Sequence, residues 1–157
     1  KTDAAAFRAM YALNVESAVT AMQACLPAMA AAGFGRVINV ASVAGLKGYP
    51  YVSAYVAAKH AIVGLTRALA LEYARSGVTI NALCPGYTDT DLVAGSVRTS
   101  ASKTGRSEKD ARVHFEAANP MCRLIRPEEV ADAALWLAGV GSSAITGQSI
   151  VIAGAEL

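Results

Sequence analysis

Arg36-Val-Ile-Asn-Val-Ala41 and Val78-Thr-Ile-Asn-Ala-Leu-Cys84 frame the stretch that decides the fold. Each is a short run of β-branched and apolar residues with no charge after its first position, which reads as a buried strand. Between them, residues 42–52 hold Gly45, Gly48 and Pro50 and read as a loop. Ser53 then caps a long apolar helix to about residue 76, closed by Gly77. Strand, helix and strand at these lengths require parallel crossovers. Strands that are apolar nearly throughout imply a sheet covered on both faces. The expected fold is α/β with a doubly wound parallel sheet, whose ligands sit beyond the carboxyl ends of the strands.

The same alternation extends both ways. Upstream, Thr2 or Asp3 caps a helix over 4–32, where Phe7, Met10, Leu13, Val15, Ala18, Met22, Cys25, Leu26 and Met29 recur at helical spacing. Pro27 should kink that helix or end its regular part, and Gly33 and Gly35 stop it. Downstream, Pro85-Gly86 breaks the second strand. Residues 91–119 are polar, with a helix expected near 107–118. Pro127-Glu-Glu129 opens another helix to about 138, because proline suits the first helical position and carboxylates suit the positive end of the dipole. A last strand is expected over 148–153. No repeat, linker or low-complexity tract divides the chain, so residues 1–157 read as one folding unit.

Composition narrows the function classes. The 157 residues are 54% hydrophobic and 17% charged, which excludes disorder and provides a sizeable core. Alanine accounts for 34 residues and aromatics for 6%, which favours close helix packing over an aromatic-lined groove. A net charge of +2 without an Arg/Lys run argues against nucleic acid. No apolar run reaches the roughly 18–20 residues that span a bilayer, and no signal peptide opens the chain. Cys25, Cys84 and Cys122 lack metal-ligand spacing, so neither zinc nor a disulfide framework is expected. A reducing cytoplasm is the natural compartment.

Chemistry concentrates at the two strand ends. Tyr55 and Lys59 lie one helical turn apart on a shared face. An ammonium beside a phenol favours phenolate and brings its pKa from about 10 toward working pH, giving a proton donor and acceptor for a carbonyl/alcohol pair. Alone, such a pair is also an ordinary surface pair. Two features favour the chemical reading. Ser42 follows the first strand, at a mouth where a hydroxyl can hold a substrate oxygen. The helix is apolar nearly all round, so a lysine in its first turns is not casually solvated.

At these residues the sequence resembles the short-chain dehydrogenase/reductase family. The resemblance rests on Gly35-Arg-Val-Ile-Asn-Val-Ala-Ser42-Val-Ala-Gly45 and Tyr55-Val-Ala-Ala-Lys59. It continues through Asn14-Val15, Val78-Thr-Ile-Asn81, Pro85-Gly-Tyr-Thr-Asp-Thr90, Arg126-Pro-Glu-Glu-Val-Ala131 and Ile145-Thr-Gly-Gln148, covering nearly the whole chain in the family's order. It implies a Rossmann-like fold and hydride transfer between NAD or NADP and a carbonyl or secondary alcohol. Tyr55 would be the acid/base, and Ser42 would hold the substrate oxygen. Lys59 would lower the Tyr55 pKa and bind the nicotinamide ribose. Asn14 would hold a water in a proton relay, or else bond a carbonyl of its own helix. Pro85, Gly86, Thr88 and Thr90 would line the nicotinamide. The family more often has Val or Ile at Thr88.

One part of the family pattern is missing. None of the 13 glycines forms the Gly-rich strand-to-helix turn that receives the pyrophosphate. The chain therefore reads as the C-terminal part of a longer Rossmann-like domain, with the first βαβ units absent. Residues 91–118 correspond to the family's substrate lid. The wider segment 91–126 carries a net +3, which suits an anionic or CoA- or carrier-linked substrate, or else reflects charge pairs on solvated helices. The expected substrate is a 3-oxoacyl/3-hydroxyacyl thioester or a hydroxy acid. The enoyl reductase branch resembles Tyr-x6-Lys, and no tyrosine here has a lysine seven residues later. A non-catalytic binding or regulatory protein, or an inactive fragment, is the alternative, and intact Ser42, Tyr55 and Lys59 argue against it. His60, His114, Trp136, Glu128 and Glu129 read as structural or solvated, and Cys84 as an inert thiol. Self-association into a homodimer or homotetramer is expected through helices 4–32 and 53–76.

Overall fold

The computed structural model describes residues 3–157. The first helix begins as α1 (Ala4–Tyr11), widens into a π-helical turn (Ala12–Glu16) and continues as α2 (Ser17–Ala31). Asp3 caps it by accepting from the Ala6 N–H at 2.8 Å; Thr2 lies outside the described residues. The helix runs through Pro27 instead of ending there. Pro27 and Gln23, whose carbonyl loses its donor, are both exposed, so the helix can carry the proline on its solvent side. Gly33, at φ 66°, ends the run.

Strands β1 (Gly35–Val40), β2 (Val78–Pro85) and β3 (Ser149–Ile152) form one parallel sheet in the order β1-β2-β3. Gly35 pairs with Val78 and Val40 with Leu83; Ala82 pairs with Ser149 and Pro85 with Ile152. α3 (Ser53–Glu72) crosses from β1 to β2. The helix starts on Ser53 itself, with Val52 in the cap position, and it stops four residues short of 76 in a turn that Gly77 completes. Helices α4 (Asp91–Thr104) and α5 (Glu108–Ala117) follow β2, and α6 (Pro127–Ala138) leads toward β3. α5 and α6 lie where the sequence places them. α4 was not anticipated, because its Ser, Thr and Gly mask the apolar stripe Val93, Val97 and Ala101 that packs on Ala111 and Leu124.

Two helices cover one sheet face. Val15 of the π turn packs with Ala58, Ile62 and Val63 of α3 against Ala82 and Cys84. Met22 and Leu26 of α2 pack with Ala70 against Val78 and Ile80. Within this layer the buried Asn39 amide donates to Thr66 Oγ1 at 2.9 Å, sewing β1 to α3. α6 covers part of the other face through Leu137, and the Arg36 guanidinium reaches the Gly139 carbonyl at 3.5 Å. The expectation of two fully covered faces therefore holds for β2 but not for β1. Val40, the last residue of the edge strand β1, is 62% exposed.

Candidate functional site

The carboxyl ends of all three strands converge on one mouth. Ser42 leaves β1 fully extended (φ −176°, ψ 162°) and caps a 3-10 turn, Val43–Gly45. Its Oγ accepts from the Ala44 N–H at 3.1 Å and donates to the Pro85 carbonyl at 3.5 Å. The hydroxyl thus bridges the ends of β1 and β2. Gly45 lets this turn press against α3, since a β-carbon there would lie 2.6 Å from the Lys59 carbonyl oxygen.

Lys59 is buried along α3 and donates its ammonium to the Val40 carbonyl at 2.9 Å. The ammonium also stands over the Tyr55 ring, 5.5 Å from its centroid. Burial pushes its pKa below the ordinary 10.5, with Cys84 opposing the shift. Cys84 lies next to the site with its own pKa raised by burial, as befits an inert thiol. Ser42, Tyr55 and Lys59 thus come together across one strand end and two turns of one helix. That arrangement can hold an oxygen, exchange a proton with it and keep a cation beside the phenol.

The loop after β2 supplies the other wall. The Gly86 N–H donates to the Ile152 carbonyl at 3.0 Å, tying the loop to β3. Thr88 Oγ1 donates to the Gly86 carbonyl at 3.1 Å, and Thr90 Oγ1 to the Thr88 carbonyl at 3.3 Å. Thr88 also pairs with Ile125 as an isolated bridge, which fastens this loop to the segment before α6. Asn14 sits mid-way along the π turn, a widening often found at functional sites. Its amide donates to the Met10 carbonyl at 3.0 Å, the bond to its own helix that was the alternative for this residue.

The basic charge of residues 91–126 is partly spent on acids within and beside that segment. The Arg112 guanidinium holds Asp89 at 2.9 Å and Glu116 at 2.8 Å, and Arg123 holds Glu129 at 2.7 Å. These contacts lower the Asp89 pKa and take that of Glu129 down to about 2. They favour charge pairing over a surface kept for an anion.

Sequence reasoning missed several residues here. Gly45 lay within the quoted motif, yet only its contact with α3 shows why it is glycine. Tyr49 and Tyr87 flank the site and stack edge-on at 6.3 Å, and Tyr87 meets Phe115 of α5 at 4.9 Å. Burial, reinforced by Glu156, raises both phenol pKa values, which suits neither to act as a base. Glu156 had no sequence signal, because its place in the site comes from tertiary folding alone.

Comparison with known proteins follows this geometry. Residues 1–154 match the family model described as Enoyl-(Acyl carrier protein) reductase. The chain is 42% identical over 145 residues to D-beta-hydroxybutyrate dehydrogenase of Rhizobium meliloti (strain 1021), covering 91% of this chain and 56% of that protein. The crystal structure of actinorhodin polyketide ketoreductase with NADPH is 37% identical at a TM-score of 0.77, covering 80% of this chain and 48% of that one. Sorbitol-6-phosphate 2-dehydrogenase SrlD of Erwinia amylovora superposes at a TM-score of 0.93 with 26% identity, over 99% of this chain and 61% of that one. The chain thus spans about half the length of the curated relatives it matches. The parallel sheet, the serine at the first strand end and the Tyr55–Lys59 pair agree with the match along the sequence: the chain belongs to the short-chain dehydrogenase/reductase family.

Proposed function

We propose that this chain carries the hydride-transfer half of an NAD(P)-dependent oxidoreductase acting on a carbonyl/secondary alcohol pair, with a 3-oxoacyl/3-hydroxyacyl thioester or hydroxy acid as substrate. The observation that carries the reading is the joint placement of Ser42, Tyr55 and Lys59 at the mouth of the parallel sheet. Relatives named as a hydroxybutyrate dehydrogenase and a putative ketoacyl reductase support the substrate class.

The residues present fit the nicotinamide riboside half of the cofactor. A buried ammonium, the main chain at Gly86 with no side chain of its own and the Thr88 and Thr90 hydroxyls together offer a cation, a close backbone approach and polar groups. When bound, the nicotinamide supplies the hydride or accepts it. Lys59 would hold the ribose, and Pro85, Gly86, Thr88 and Thr90 would line the ring. Ser42 would orient the substrate oxygen with its hydroxyl. Tyr55 would donate a proton to that oxygen in reduction and take it back in oxidation, with the Lys59 ammonium over its ring. Asn14 would hold a water in a proton relay through its amide oxygen, which the bond to Met10 does not use.

The compartment proposed is the cytoplasm: the three cysteines are free thiols, and among the described residues no helix is long and apolar enough to cross a membrane. The assembly proposed is a homodimer or homotetramer through the α1–α2 and α3 faces. The deciding experiment is Tyr55→Phe in the protein produced from its full reading frame. Turnover should fall at least 100-fold with nucleotide affinity nearly unchanged, in line with the roughly 10²–10⁴-fold contribution of a general acid. Near-normal kcat would overturn the assignment.

A further inference from the structure

The segment after β3 folds back into the mouth of the site. Its turn uses Gly154 at φ 56° and Ala155 at φ 68°. The left-handed region is costly for an alanine and persists only where the surroundings impose it. The turn delivers Glu156, whose side chain is 4% exposed. Its Oε1 accepts from the Tyr49 hydroxyl and lies 3.2 Å from the Lys47 ammonium. The same ammonium donates to the Glu156 main-chain carbonyl at 2.9 Å. Oε2 is buried without a partner among the described residues, and stands 2.9 Å from the place a β-carbon on Gly86 would take.

These contacts join three strand ends. Lys47 and Tyr49 belong to the loop that leaves β1 at Ser42, Gly86 and Tyr87 follow β2, and Glu156 follows β3. Ser42 donates to the Pro85 carbonyl just before the second of these loops, and Tyr49 lies in the segment that enters the helix of Tyr55, so the rings adjoin the proposed site. The rings run on edge-to-face from Tyr49 through Tyr87 to Phe115 of α5. A carboxylate buried this deeply is costly unless paired, and an apolar side chain would fill the space more cheaply. Half of the carboxylate is paired, with groups of the site loop, and the other half abuts the loop that would line the nicotinamide.

We propose that Glu156 is a positioning residue: it holds Tyr49 and the Gly86–Tyr87 turn as a fixed aromatic wall on the substrate side of Tyr55. This rests on the reading of Tyr55 as acid/base given above. The wall is uncharged, because Tyr49 keeps its proton on Glu156 and burial keeps Tyr87 protonated. Its loss should loosen substrate placement while leaving the chemical groups intact.

The test is Glu156→Gln in the protein produced from its full reading frame, with acetoacetyl-CoA and ethyl acetoacetate as probes. KM should rise about tenfold, with kcat within about threefold and nucleotide affinity unchanged. Tyr49→Phe should raise KM similarly, and the double variant should be no worse than either single one, as expected for residues acting as one unit. An unchanged KM in Glu156→Gln overturns the proposal; if that variant does not fold, an unchanged KM in Tyr49→Phe does so. NMR of tyrosines labelled at 13Cζ gives a readout independent of turnover. In Glu156→Gln, or in Tyr49→Phe if only that variant folds, the Tyr87 resonance should shift although neither substitution removes a hydrogen bond to it. An unmoved Tyr87 resonance overturns the proposal. Full turnover in Tyr55→Phe would instead sink the functional reading and leave the NMR result to judge the wall alone.

Discussion

The Lys59 carbonyl oxygen lies 2.6 Å from the position that a β-carbon on Gly45 would occupy. That approach sets the spacing between the turn carrying Ser42 and the helix carrying Tyr55 and Lys59. A helix backbone cannot yield as a flexible side chain can. Gly45→Ala should therefore push the Ser42 turn away from α3, at a stability cost of about 1–3 kcal/mol as in other overpacked cores. Displacement of Ser42 relative to Tyr55 should lower kcat/KM more than tenfold, because misplacement of about an ångström costs on the order of a hundredfold. Thermal denaturation and steady-state kinetics check the two effects. A variant of normal activity would show that the turn is not what places Ser42.

Lys59 has two partners, the Val40 carbonyl and the Tyr55 ring. Lys59→Met keeps the aliphatic stem and removes the cation. Without the ammonium beside the phenol, kcat should fall about tenfold or more. Nucleotide affinity should fall about tenfold or more, since the same ammonium is proposed to hold the ribose. A kcat and nucleotide Kd that both match those of the parent would refute the dual role.

Glu129 carries a pH dependence whose sign is fixed by its partners. The Arg123 guanidinium, followed by the Arg126 N–H, takes its pKa from 4.5 down to about 2. A carboxylate depressed in the folded state stabilises above its unfolded pKa and loses that contribution as pH falls through the folded value. The melting temperature should thus be insensitive to Glu129 above about pH 5 and fall between about 4.5 and 2. Melting curves of Glu129→Gln across that range should be flatter, and an identical acid slope in both proteins would contradict the pairing.

The legible parts of the fold share one property: local sequence and tertiary demand agree. β1, β2 and β3 are apolar and bounded by Gly or Pro, and α6 opens on Pro127 and two carboxylates. α4 was not legible because its stripe of Val93, Val97 and Ala101 is narrow and set among weak helix formers. The π turn leaves no compositional mark, since a widening of the backbone changes register without changing residue types. In the site, Tyr55 and Lys59 announce themselves by helical spacing. Glu156 lies more than 100 residues from both Lys47 and Tyr49 in sequence yet meets them in space, and no periodicity reports such a contact.

The apolar circumference of α3 divides in a way that alters where a partner would sit. Ala54 and Ala58 face the interior, with Ala58 in the core beside Ile62 and Val63, so they are not available to a seam between copies. The outward face carries Gly64, Ala68 and Leu71, and Leu71 is 81% exposed. Spacings of four and three place these residues on one stripe. Alongside runs a groove of about 250 Å³ between α2 and α3, lined by Val19, Met22, Leu26, Leu65, Leu69 and Tyr73. Leu13, Phe7 and Tyr11 extend the exposed apolar surface along the first helix. A patch of this kind marks an interface more often than a bare surface, and small residues let two copies of α3 approach closely about a two-fold axis. Light scattering of the protein produced from its full reading frame should report a dimer or tetramer at micromolar concentration. Ala68→Glu places a charge on the proposed seam at an exposed position, so the folded monomer should survive while the oligomer dissociates. A monomer in the parent protein, or an unchanged mass in Ala68→Glu, would place the contact elsewhere or abolish it.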